Sequence, residues 1–93
     1  MRTIYKYVLK VTDIQNLTLP SGSRIISVEE QNGEIVLYAV VNTSMKTNTI
    51  TDKYVIFIIG TGHCADNSIG NTFLGTVKLA AGQLMFHVFY GLV

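Results

Sequence analysis

Arg24-Ile25-Ile26-Ser27-Val28-Glu29-Glu30-Gln31-Asn32-Gly33-Glu34-Ile35-Val36-Leu37-Tyr38-Ala39-Val40-Val41 is the stretch on which the fold turns. Asn-Gly accepts positive φ at both central positions of a type I′ turn, and the twist of that turn matches a hairpin. The spacing predicts a strand over Arg24 to Glu30, a tight turn over Gln31-Asn32-Gly33-Glu34, and a returning strand over Ile35 to Val41.

The same reading extends in both directions. Upstream, Thr3 to Val11 alternates, with Tyr5, Tyr7, Leu9 and Val11 on one face and Ile4, Lys6, Val8 and Lys10 on the other. The mixed second face predicts a strand partly wetted on one side. Leu17-Thr18-Leu19 reads as a short extended piece, stopped by the turn cluster Pro20-Ser21-Gly22-Ser23. Downstream, Asn42 to Asp52 is a polar loop, expected to be mobile. Lys53 to Ile59 is a strand and Gly60 to Asn71 a loop rich in Gly, Asp, Asn and Ser. Thr72 to Leu79 and Gln83 to Phe89 are two further strands, joined by Ala80-Ala81-Gly82. No window of ten or more residues combines helical apolar spacing with caps; the nearest, Asp13 to Leu17, is too short to stand alone. The expected fold class is all-β. It has about six mostly antiparallel strands, in a small sandwich or partly open barrel, as one domain over residues 1–93.

Composition narrows the function classes. Of the 93 residues, 48% are hydrophobic and 14% charged, against a usual charged share of about 25%. That balance argues against disorder. A net charge of +1 and a pI near 7.9 argue against an electrostatic nucleic-acid binder, which has a basic stripe and a pI above about 9. A single cysteine excludes an internal disulfide framework and a multi-cysteine zinc site. The lysine-bearing start is no secretory signal, and no run approaches the roughly 20 apolar residues of a membrane helix. A cytoplasmic setting, without membrane or nucleic-acid partners, is the expectation.

Three strands are apolar on both faces. Ile35, Leu37, Ala39 and Val41 oppose Val36, Tyr38 and Val40. Tyr54, Ile56 and Ile58 oppose Val55, Phe57 and Ile59, and Leu84, Phe86, Val88 and Tyr90 oppose Met85, His87 and Phe89. Half-buried antiparallel strands alternate more cleanly. The second faces need cover, from capping loops or, the favoured reading, from identical copies in a homo-oligomer. The apolar end Phe89-Tyr90-Gly91-Leu92-Val93 points to docking on a neighbour.

Few residues carry a chemical signal. Gly60-Thr61-Gly62-His63-Cys64-Ala65 fits a dinucleotide fingerprint literally. However, Asp66-Asn67-Ser68-Ile69-Gly70 cannot begin the long helix that motif requires, so the match is fortuitous. Amides in such a turn can still form a nest for a phosphate-bearing ligand, or simply make a tight turn. His63, Cys64, Asp66 and His87 fit no metal pattern, and no metal or other cofactor is expected. Adjacent residues of an extended chain point oppositely, so His63 does not readily serve Cys64 as a base. His87, among apolar neighbours, reads as a hydrogen-bonded core or interface residue. Tyr5-Lys6-Tyr7 offers rings that can stack on a base and a cation that can meet phosphate. Asp13, Glu29, Glu30, Glu34 and Asp52 read as solvated charges, and no carboxylate pair suggests acid/base catalysis.

Several segments together resemble a family of small β-rich domains encoded by phages and prophages. They are Ile4-Tyr5-Lys6-Tyr7, Thr12-Asp13-x-Gln15, Leu19-Pro20-x-Gly22, Ser27-Val28-x-x-Gln31-Asn32-Gly33, Leu37-Tyr38-Ala39, Gly60-Thr61-Gly62-His63, Leu74-Gly75-Thr76 and Phe86-His87-Val88-Phe89. The resemblance implies a phage context in a bacterial cytoplasm and carries no established enzyme activity. By analogy it implies a sponge that sequesters nucleotide signals of bacterial immunity. The leading expectation is therefore a non-catalytic, homo-oligomeric binding protein for a small nucleotide-derived ligand. Gly60, Thr61, Gly62 and His63 would supply amides and a polar contact, Tyr5 or Tyr7 a stacking ring, and Lys6 or Arg24 a phosphate contact. The alternatives are a module that inhibits a host protein through a sheet face, and a small phosphodiesterase or thiol-dependent hydrolase using His63, Cys64 or His87.

Overall fold

In the computed structural model, which describes residues 1–43 and 50–93, Asn32 and Gly33 take φ of 53° and 82°. Those are the signs of a type I′ turn. Glu30 Oε2 accepts from the Gly33 N–H at 2.6 Å and fixes the tip. The turn joins β3 (Arg24–Gln31) to β4 (Glu34–Asn42), with Gln31 opposite Glu34. β1 (Arg2–Leu9) pairs with the other flank of β4, giving a three-stranded antiparallel sheet in the order β1-β4-β3. β2 (Ile14–Pro20), β5 (Thr51–Gly60), β6 (Thr72–Leu79) and β7 (Leu84–Leu92) form a four-stranded antiparallel sheet in the order β2-β5-β7-β6. The fold is all-β, as expected, and the two sheets stack as a sandwich rather than closing into a barrel. No helix among the described residues is long and apolar enough to cross a membrane.

Three details differ from the sequence reading. Among the described residues there are seven strands. The short piece at Leu17-Thr18-Leu19 is the centre of β2, which runs from Ile14 opposite Phe57 to Pro20 opposite Thr51. Gln15 makes this possible. Its Oε1 accepts from the Lys10 N–H at 3.2 Å and its Nε2 donates to the Lys10 carbonyl at 2.6 Å, so the chain leaves β1 and starts a new strand in the other sheet. Pro20 closes an edge strand, where its missing N–H costs no ladder bond. The length of the last strand is the second difference. β7 runs to Leu92 rather than stopping at Phe89: Tyr90, Gly91 and Leu92 lie opposite Ile56, Val55 and Tyr54, and the Val93 N–H donates to the Lys53 carbonyl at 2.9 Å. The backbone of β5 needs partners along that flank, and β7 supplies them. Third, β1 stops at Leu9 rather than Val11. The polar loop read over Asn42 to Asp52 lies mostly outside the described residues.

The core lies between the sheets. Ile35, Leu37, Ala39 and Val41 of β4 are almost wholly buried, with Ile56 and Ile58 of β5 and Val88 of β7. Leu9, Leu19, Ile25, Val28 and Val77 complete the cluster. Burying an aliphatic side chain of this kind contributes about 1.5–3 kcal/mol. A bulge between Ile25 and Ser27 and another between Phe73 and Gly75 bend β3 and β6 towards each other, so that Gly75 faces Val28.

The outward faces find different cover. Val36 points outward from β4 yet is only 1% exposed. Lys6, on β1 opposite Tyr38, donates from Nζ to Gln31 Oε1 on β3 at 3.1 Å. Its methylene stem therefore crosses β4 above Val36. Phe57 points outward from β5 yet is only 7% exposed, because the loop after β5 folds back beside it. Chain-internal cover thus accounts for these two positions. Ile4, Val8 and Ile26 remain 57%, 53% and 42% exposed on the outward face of the three-stranded sheet.

Leu37→Ala is expected to lower unfolding stability by about 2–5 kcal/mol, read from urea denaturation. Val8→Ala, on the outward face, should cost under about 1 kcal/mol.

Candidate functional site

β5 ends in the turn that the glycines predicted. Gly62 has φ of 88°, the Thr61 N–H donates to the Met85 carbonyl at 3.2 Å, and the His63 N–H donates to the Gly60 carbonyl at 3.0 Å. Two of the amides expected to cradle a phosphate are therefore committed to backbone. The His63 ring folds back over Gly60. Only a single 3-10 turn, Asp66–Ser68, follows. It cannot act as the long helix of a dinucleotide site.

The loop returns across the outward face of the four-stranded sheet and is latched there. Ser68 is buried, and its N–H and Oγ both donate to the Ala65 carbonyl, at 3.0 and 2.7 Å. Asn71 donates from its N–H to the Ser68 carbonyl and from Nδ2 to the Asn67 carbonyl, both at 3.0 Å. Asn71 Oδ1 lies over Gly91, where a Cβ would overlap it. Glycine at that point of β7 is what lets the loop seat.

The latched loop creates two clefts that share His63 as a wall. One, of about 390 Å³, lies between the loop and the sheet, with Ile14, Phe57 and Ile59 on the sheet side and His63, Cys64, Asn67 and Asp13 around it. The other, of about 380 Å³, lies on the far side of His63, against Gly60, Thr61 and the start of β7 from Leu84 to Phe86. Both fall within the range of small-molecule sites, about 300–1,000 Å³. Behind the turn, His87 is held at both ring nitrogens: Thr61 Oγ1 lies 2.9 Å from Nε2 and Thr76 Oγ1 lies 3.0 Å from Nδ1. A neutral imidazole donates at one nitrogen and accepts at the other, so His87 ties the glycine turn to β6.

Residues 1–92 match the family model of DUF7352, a domain of unknown function. The chain belongs to that family. No curated protein and no solved structure matches it.

In this DUF7352 domain the eight residues proposed from sequence fall into two groups. Gly60, Thr61, Gly62 and His63 stand together beside the clefts. Tyr5, Lys6, Tyr7 and Arg24 lie on the other sheet, and neither cleft is lined by any of them. Tyr5 and Tyr7 share the inward side of β1, where Tyr7 packs against the core, whereas Lys6 and Arg24 point outward. Among the described residues no three of His, Cys, Asp and Glu converge to hold a metal ion. Sequence reasoning missed Asp13, Ile14, Phe57, Ile59 and Asn67. Alternation along β5 places Phe57 and Ile59 on one face. Asp13 and Ile14 join them only through the β2–β5 register, which no local signal reveals.

Gly91→Ala is expected to displace Asn71, break its bond to Asn67 and lower hydrogen-exchange protection across Thr61 to Asn71. The stability cost is about 1 kcal/mol, and it should disappear in an Asn71→Ala background. Burial raises the Tyr7 phenol above its ordinary value of 10.0, and Tyr5 adds to the shift. The folded state thus holds that proton more tightly than the unfolded chain. Its contribution is complete below pH 10 and is lost as pH rises through the folded value. The alkaline fall in urea midpoint should be shallower in Tyr7→Phe.

Proposed function

We propose that this domain is a non-catalytic binding protein that sequesters a small nucleotide-derived molecule in the cleft beneath the Thr61–Asn71 loop. The observation that carries the reading is the make-up of that cleft: apolar Ile14, Phe57 and Ile59 on the sheet side, with Asp13, His63 and Asn67 among its polar lining. A nucleobase has flat apolar faces and an edge of donors and acceptors. An apolar wall suits the faces. A carboxylate that accepts, with a carboxamide that both donates and accepts, suits the edge. Because the Thr61 and His63 amides serve the turn, recognition rests on the base more than on the phosphates. The resemblance to phage-encoded domains supports capture of a signalling nucleotide as the biological purpose.

One observation favours a second reading. Cys64, His63 and Asp13 line the same cleft, and thiol, imidazole and carboxylate are the parts of a thiol-dependent hydrolase. No hydrogen bond among the described residues joins them, which favours holding a ligand over turning it over.

Native mass spectrometry and thermal shift with cyclic nucleotides and ADP-ribose derivatives test both readings. Sequestration predicts that one compound binds and raises the melting temperature. The gain should reach about 2.7 kcal/mol at a hundredfold excess over Kd, fall in Phe57→Ala and Asn67→Ala, and leave the compound intact after incubation. Recovery of a cleaved compound, with loss of cleavage in Cys64→Ser, would establish the hydrolase instead. No binding across the panel overturns the proposal.

A further inference from the structure

We propose that the outward face of the β1-β4-β3 sheet is where two copies of this chain associate, face to face about a two-fold axis. Three rows cross the face: Ile4, Val40 and Arg24; then Lys6, Tyr38 and Ser27; then Val8, Val36 and Glu29. The bulge at Ile26 turns a further apolar side chain outward beside the middle row. The other sheet carries its own loop as cover. Here Lys6 shields only Val36, and Ile4, Val8 and Ile26 stay about half exposed.

Charge identifies the occupant. Arg24 stands at one end of β3 and Glu29 near the other, roughly 15 Å apart by strand rise, too far to pair within one chain. A two-fold axis running across the strands through the middle row lays the first row of one copy on the third row of the other. Ile4 then meets Val8 of the second copy, Val40 meets the Lys6 stem that covers Val36 there, Tyr38 meets its own equivalent, and Arg24 meets Glu29 of the second copy twice over. The Lys6 ammonium is drawn off towards Gln31, away from the axis. An axis along the strands would instead set Arg24 on Ile4 and Glu29 on Val8, burying both charges unpaired, which is costly. The face is thus self-complementary in one orientation, as an isologous interface must be.

Sedimentation equilibrium on the full chain, at micromolar and higher concentrations, tests this by charge exchange. The unaltered chain should dimerise. Arg24→Glu creates two acidic clashes and Glu29→Arg two basic ones, so each variant alone should dimerise about 100-fold more weakly. Circular dichroism should remain unchanged, since both side chains are exposed. Mixed one to one, the two variants should form a heterodimer, because every clash becomes an opposite-charge pair. A monomeric unaltered chain, dimers that survive either single substitution, or a mixture that stays monomeric each overturns the proposal.

Discussion

A strand offers its side chains to two sides in turn, so a segment that is apolar at every position requires two apolar surroundings. β4, β5 and β7 impose that requirement on a chain with room for one core. Most of the architecture answers it. The inward residues of all three strands share the core between the sheets, whose centre is Leu37, Ile56 and Val88. The outward residues must be met by whatever else the chain carries, and the two sheets meet them differently.

On the four-stranded sheet the answer is a loop. It leaves β5 by a glycine turn, seats through Asn71 on Gly91, and shelters Phe57. The shelter is incomplete, and the incompleteness is the cleft. A loop latched at its ends and propped by His63 leaves space over Ile14 and Ile59 that polar residues line. The site therefore arises from covering a surplus apolar surface rather than from a dedicated catalytic motif. On the three-stranded sheet, among the described residues, one lysine stem crossing to Gln31 shelters a single valine.

The legible parts of this fold are the local ones. Asn32-Gly33 announces the hairpin because positive φ at two successive positions is a demand few residue pairs meet. Alternation places the strands near their observed limits because side-chain direction is a property of the chain alone. Long-range pairing is different. Neither the assignment of β1 and β2 to opposite sheets nor the placing of Asp13 and His63 at one cleft has a local signature, since both depend on which strands hydrogen-bond. The glycine turn was legible as a turn. Its commitment of two amides was not, because the Met85 carbonyl that takes one of them is distant in sequence. For the same reason Tyr5, Lys6 and Arg24, grouped by chemistry with the turn, prove to stand on the other sheet.

The placement of β7 has a consequence for how the molecule is made. β5 and β6 precede it in the chain, yet they meet only through it. Until β7 is in place, both present a flank of unpaired amides and carbonyls. The three-stranded sheet labours under no such delay, since β1, β3 and β4 all precede it in the chain. Strand order alone therefore makes the closing of the four-stranded sheet the more non-local event, hanging on the last strand of the fold.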